Sequence, residues 1–247
     1  MLAFFIYDMD ILIKNIKGLV QTRDKPLKWV AGTEMSHLPV IEGAYLHLKE
    51  GVIHDFGRME SIRSISATEE IDASNRFVFP SFVDSHTHLV FAATREEEFV
   101  DKIKGMSYEE IAAKGGGILN SAKKLQNTSE DELYEKSLDR VYEIIGFGTG
   151  AVEVKSGYGL TVEDELKMLR VARRIGQETP LEVKTTFLGA HAVPKSHTKK
   201  SYIDLIVNEM IPAVADENLA DYIVAFCEKD FFTPDETVLD VEVGNKY

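Results

Sequence analysis

The sequence has one cysteine, Cys227, in 247 residues, so no internal disulfide can form and no thiolate cluster can hold a metal. That scarcity fits a reducing, cytoplasmic compartment. Basic residues are also in short supply: 28 lysines and arginines stand against 41 aspartates and glutamates, a formal charge of -13. Such a surface repels nucleic acid and anionic lipid, so neither is an expected partner. Small acidic substrates stay open, because one buried arginine sets its own local field. No hydrophobic run reaches the length of a membrane span. The opening MLAFFIYDMD is apolar for seven residues but has no basic start and runs straight into aspartate, so it reads as neither signal peptide nor anchor. No GxGxxG follows a strand pattern, and no GxxxxGK[ST] is present. The glycine run KGGGILN (Lys114–Asn120) lacks the context of a phosphate loop and reads as a plain loop.

What the chain does have is apolar patterning. Hydrophobic residues make up 44% of it, enough for a substantial core in one large or two modest domains. Ile11–Val20 reads as a strand, and Ala44–Gly57 as two strands joined at Glu50-Gly51. No helical period appears before residue 80, so residues 1–76 are expected to form a small all-β domain. From Phe77 the pattern alternates. FVFPSFVDSHTHLVF reads as one strand, and SEDE from Ser129 as a capping box opening a helix. GAVEVK is the next strand, and Thr161 caps a helix with Leu166, Leu169, Ala172 and Ile175 on one face. EVKTTFLGAHAVP, YIDLIVNEMIPAVADE and YIVAFCEKDFF follow as strand, helix and strand, and Thr233-Pro234 opens a last helix. Residues 77–247 thus read as four β/α units, the content of an α/β fold with buried parallel strands. An open doubly wound sheet and a (β/α)8 TIM barrel both accommodate this order. Both also permit ionisable residues at the C-terminal ends of the strands, and with no nucleotide-binding glycine motif present the reading leans to the barrel.

Asp84, His86 and His88 fall on one face of a strand, with the two imidazoles about 7 Å apart at the backbone. Such a pair can converge on one cation, and zinc, iron and manganese all suit nitrogen donors. A pair of hydrogen-bonded histidines at a strand end is the simpler alternative. Arg95 lies in the following loop, where it either clamps a carboxylate or pairs with Glu96, Glu97 or Glu98. Tyr158 stands between two glycines after the second strand, and His191 ends the third. Glu153 and Lys155 share a strand face as an ion pair, a reading ranked above a metal-bridging lysine carbamate. Cys227 has no histidine base in view and reads as core.

These blocks resemble a known family. Asp84-Ser-His-Thr-His88 after Pro-x-Phe-Val is similar to the first barrel strand of the amidohydrolase superfamily of metal-dependent hydrolases. SHTHLVFAATREEEF, SYEEIAAKGGGIL, EVKSGYGL, ELKMLRVAR and TTFLGAHAVP resemble, within it, the imidazolonepropionases of histidine degradation. The resemblance runs from about Leu38 onward. It implies a (β/α)8 barrel with a small β domain, and one divalent metal, Zn2+ or Fe. The implied reaction is hydrolysis of the cyclic amide 4-imidazolone-5-propanoate to N-formimidoyl-L-glutamate. It implies His86 and His88 as metal ligands and Arg95, Tyr158 and His191 as substrate-binding residues. The only partner it implies is the small-molecule substrate, and it leaves room for a homodimer at full length. The family's fifth-strand histidine, eighth-strand aspartate and proton shuttle would lie beyond Tyr247, so the expectation is an N-terminal fragment inactive alone. The alternatives are a non-catalytic half barrel that pairs with another chain, and an amidohydrolase of another cyclic amide or aminated heterocycle.

Overall fold

The computed structural model describes residues 10–23, 25, 27–107, 110, 116–228 and 231–247. The opening MLAFFIYDM and the first part of the glycine run, Lys114-Gly115, lie outside the described residues. The chain divides into two compact units, Met1–Ser81 and Phe82–Tyr247.

In the first unit, β1 (Asp10–Val20) is flanked by β2 (Val40–Lys49) on one side and by β4 (Glu69–Asp72) and β5 (Phe77–Val78) on the other. β3 (Val52–Arg58) pairs antiparallel with β2 through a two-residue turn. Both turn residues, Glu50 and Gly51, have positive φ, the twist a tight hairpin requires. β1 bulges between Ile13 and Ile16, with Asn15 in the left-handed region and its amide bonded to Asp72. Ile16, Leu19, Ala44, Leu46 and Ala73 form this unit's core.

The second unit is an α/β layer. Its strands β6 (Phe82–Thr87), β7 (Thr149–Lys155), β8 (Glu182–Phe187) and β9 (Tyr222–Ile223) are parallel and lie in chain order. Its described helices are α1 (Glu96–Ile103), α2 (Ile118–Gln126), α3 (Glu130–Gly146), α4 (Val162–Glu178), α5 (Lys199–Leu205), α6 (Ile211–Asp216) and α7 (Pro234–Gly244). Val152, Val154 and Val183 of the sheet pack on Leu133, Val141, Met168 and Ile175 of α3 and α4. Phe187 packs with Leu169, Tyr202, Ile206 and Met210 in a second cluster.

Several elements differ from the sequence reading. The single strand read from Phe77 is two: Phe77–Val78 joins β1, and Phe82–Thr87 starts the parallel sheet. Pro80 lies between them and has no N–H to give a ladder. The compact units accordingly divide after Ser81, whereas the composition changes at residue 77. The glycine run ends in a helix start, since α2 begins at Ile118 with Gly117 at φ 81° before it. The helix after Thr198 is interrupted by a five-residue π-helical segment, Ile206–Met210. Pro212 stands two residues beyond it, in the first turn of α6. It has no N–H for a carbonyl four residues back and its ring crowds that carbonyl, which a wider turn relieves. β9 is only two residues long: the Val224 N–H still makes the ladder bond to the Phe187 carbonyl, but β8 ends there, and Phe226 donates to the Ala190 carbonyl beyond it. Cys227 is exposed rather than core.

Candidate functional site

The site is built at the C-terminal ends of β6, β7 and β8. β6 shifts register between Asp84 and Thr87, and Asp84 Oδ1 accepts from the His86 N–H at 3.2 Å. His88 stands one residue past the last residue of β6. The next turn is held from outside: Arg140 on α3 donates to the carbonyls of Leu89 and Phe91 and stacks 3.8 Å over the Phe91 ring.

His88 is the hub of an aromatic cluster. Its ring lies 5.8 Å from His86, 5.1 Å from Tyr158 and 5.6 Å from His191, nearly parallel to the last. Tyr158 and His191 are themselves 5.2 Å apart. Phe226 closes the far side, 5.8 Å from His191. Four of the five residues singled out from sequence therefore meet in one place. His86 is the exposed member, His88 and Tyr158 are half-buried, and His191 is buried.

Arg95 sits at the N-terminus of α1, and its side chain makes a loose 3.7 Å pair with Glu98. It remains 42% exposed, so that pair does not consume it. Its charge reaches the cluster and lowers the proton affinity of His88, His191 and Tyr158.

Burial and charge set the protonation. Burial first, then the neighbouring His191, His86, Lys155 and Arg95, push His88 down to about 4. His191 is lowered mainly by burial, against the opposing effect of its hydrogen bond to the Gly157 carbonyl. Both rings are thus neutral at pH 7, the form that can donate a lone pair. His191 Nδ1 lies 2.8 Å from Gly157 O. A carbonyl only accepts, so Nδ1 carries the proton and Nε2 presents a lone pair. Burial raises the Tyr158 hydroxyl and keeps it a phenol.

Among the described residues, no group of three or more histidine, cysteine, aspartate or glutamate side chains is arranged to hold a metal ion. His88 Nδ1 nevertheless is a buried nitrogen with no hydrogen-bond partner among the described residues. A buried, neutral imidazole with an unused nitrogen beside a second imidazole fits a metal as part of a donor set. The face predicted for Glu153 and Lys155 carries their ion pair, and Thr186 Oγ1 donates to the same carboxylate oxygen.

Sequence reasoning missed the supports. Glu165 on α4 is fully buried beneath the Tyr158 loop, and Ser156 Oγ accepts from the Leu188 N–H beside it. A glutamate in the first turn of a helix usually faces solvent, so nothing in its spacing marked it. Arg140 likewise reads as an ordinary helix-surface charge.

No family model matches the chain. It is 52% identical over 238 residues to the imidazolonepropionase of Flavobacterium johnsoniae, covering 96% of this chain and 58% of that protein. The imidazolonepropionase of Christiangramia forsetii is 52% identical over 93% of the chain and 56% of its own length. That of Thermoanaerobacter pseudethanolicus is 39% identical over 97% of the chain and 57% of its own length. The chain thus spans a little over half the length of the curated relatives it matches. Among solved structures, 5-methylcytosine deaminase from Klebsiella pneumoniae superposes with a TM-score of 0.61 at 19% identity, over 96% of this chain and 49% of that one. E. coli guanine deaminase gives 0.58 at 14% identity, over 96% and 50%. These two likenesses bear on the fold alone, a curled parallel sheet of half-barrel extent with its helices. Over the span it covers, the chain belongs with the imidazolonepropionases.

Proposed function

We propose that this chain supplies the first half of a (β/α)8 barrel in a cytoplasmic imidazolonepropionase, with a small β domain ahead of it. The proposed reaction is hydrolysis of 4-imidazolone-5-propanoate to N-formimidoyl-L-glutamate. The observation that carries the reading is the convergence of His86, His88, Tyr158 and His191 at one end of a parallel sheet, in a sequence 52% identical to imidazolonepropionases.

His86 and His88 would hold a divalent Zn2+ or Fe, which when bound supplies an activated water and a polarised carbonyl. Everything else falls to the chain's own groups. Arg95, 42% exposed and only loosely paired with Glu98, suits the propanoate, whose carboxylate a guanidinium grips through two oxygens. Tyr158, held as a phenol, donates a hydrogen bond to a ring oxygen. His191, neutral with its lone pair on Nε2, accepts from a ring N–H and so fixes the face of the ring presented for attack. Phe226 excludes water behind His191.

The test is loss of 4-imidazolone-5-propanoate, followed by its ultraviolet absorbance, with the Zn2+- or Fe2+-loaded polypeptide that carries this sequence. His86→Ala is expected to lower kcat at least a hundredfold. Turnover that persists in the variant, or in the presence of a strong chelator, would remove the metal role.

A further inference from the structure

The loop that presents Tyr158 is folded around a buried carboxylate. Glu165 has no exposed surface. Its Oε2 accepts from the Gly157 N–H at 2.8 Å, and its Oε1 accepts from the N–H groups of Gly159 at 2.8 Å and Leu160 at 2.9 Å. Tyr158 lies between the clamped residues, the one position in this stretch whose N–H is left out of the cage.

The backbone of the loop is shaped for this contact. Gly157 and Leu160 have φ of 106° and 58°, left-handed values that turn consecutive N–H groups inward. A Cβ on Gly159 would meet the backbone of Asp164 and Glu165 at 2.4–2.5 Å, so the loop rests directly on the start of α4. A Cβ on Gly157 would meet His191 Nδ1 at 2.8 Å. That closeness lets the Gly157 carbonyl accept from His191, while the N–H of the same residue is held by Glu165. One carboxylate therefore fixes both neighbours of Tyr158 and the residue that sets the tautomer of His191.

From this geometry we infer that Glu165 is the positioning residue of the site: it orients the Tyr158 ring and, through Gly157, keeps the His191 proton on Nδ1. Among the described residues, the groups that the Glu165 carboxylate bonds all belong to this loop, Ser156 included. A buried glutamate whose only task was to anchor α4 would bond the helix, whose own first turn is capped separately by Thr161. The consequence for substrate rests on the function proposed above, because it needs Tyr158 and His191 to face the ring. The positioning itself does not, and it is measured without substrate.

The experiment is nuclear magnetic resonance on the full chain. In the wild type, the imidazole nitrogen shifts of His191 are expected to report the Nδ1–H tautomer, and the amides of Gly157, Gly159 and Leu160 to exchange slowly. Fast exchange at these loop amides, or an Nε2–H tautomer, overturns the inference without any variant. Glu165→Gln keeps one carbonyl oxygen and turns an N–H donor toward the remaining loop amides. It is expected to speed exchange at one or more of them by about tenfold and to mix the His191 tautomers, with the exchange of α4 amides unchanged. Unchanged loop exchange and tautomer in a folded variant overturn the inference. Should the cage behave as expected while the loaded enzyme fails to hydrolyse the imidazolone, the substrate reading falls and the positioning role stands.

Discussion

Two buried carboxyl groups lie on helices of the same unit, and the fold treats them in opposite ways. Glu165 at the start of α4 accepts three backbone N–H bonds. Asp240 in α7 is 3% exposed, and among the described residues neither of its oxygens has a hydrogen-bond partner, nor has the nearby Thr237 hydroxyl. Burial raises the proton affinity of both. For Asp240 nothing opposes it, and the carboxyl rises to about 7, whereas the N–H donors and Ser156 work against the rise at Glu165. The contrast shows that burial alone does not mark a functional carboxylate. What marks Glu165 is that its donors all belong to the loop carrying a site residue.

The sharpest way to break the contrast is to remove both acids. Glu165→Ala strands three buried N–H groups and is expected to cost on the order of 5 kcal/mol, read from urea unfolding. A loss of under about 1 kcal/mol would mean the loop finds other acceptors. Asp240 predicts the opposite sign. Its folded proton affinity lies at about 7 against an ordinary 3.8, so the folded state keeps its proton while the unfolded state releases it. Stability from this group is complete below pH 4, falls as pH rises toward 7, and is fully lost above it. The shift amounts to about 4 kcal/mol. Asp240→Asn should therefore be more stable than the wild type at pH 8 and equal to it at pH 4. Parallel unfolding curves of the two proteins across that range would overturn the assignment.

Lys167 extends the comparison to a cation. It is buried, yet its ammonium donates to the carbonyls of Leu125 and Thr128 and to Asp164 Oδ1. All three donor positions are used, tying the end of α2 to α4. Lys167→Met should cost about 3 kcal/mol, less than Glu165→Ala because the stranded carbonyls keep spare lone pairs. A neutral result would mean that methionine packing compensates for the lost bonds.

These contrasts also separate what the sequence revealed from what it hid. His86, His88, Tyr158 and His191 were legible because parallel strands place their C-terminal ends together, whatever packs around them. The α3, α4 and α7 starts were legible because Ser129, Thr161 and Thr233 are local signals, each bonding an N–H three residues on. Hidden were features that depend on what comes near in space. The break at Pro80 turned on which sheet each half joins, and apolar alternation carries no such information. β9 stays short because its neighbour β8 ends at Phe187, so that Phe226 bonds the Ala190 carbonyl beyond it instead of a ladder partner, although the residue types favour a longer strand. Glu165 and Asp240 sit in helical sequence as unremarkable acids, and only the folded surroundings distinguish them.

The smallest predicted effect tests those local signals. SEDE at Ser129 has the letters of a capping box, but the structure gives α3 only half of it: Ser129 accepts from the Glu132 N–H. The reciprocal pair forms at α7, where Thr233 accepts from Glu236 N and Glu236 Oε2 accepts from Thr233 N at 2.7 Å. Glu132 is drawn off by Lys136 one turn along, at 2.7 Å. Ser129→Ala thus loses one bond, while Thr233→Ala also loosens the geometry that lets Glu236 reach back. Thr233→Ala is expected to cost about 1.5 kcal/mol and Ser129→Ala about 1 kcal/mol. Lys136→Ala should free Glu132 to complete the box and so narrow that gap. If the two cap variants cost the same before and after Lys136→Ala, the reciprocal bond contributes nothing measurable, and the sequence pattern alone describes both helix starts.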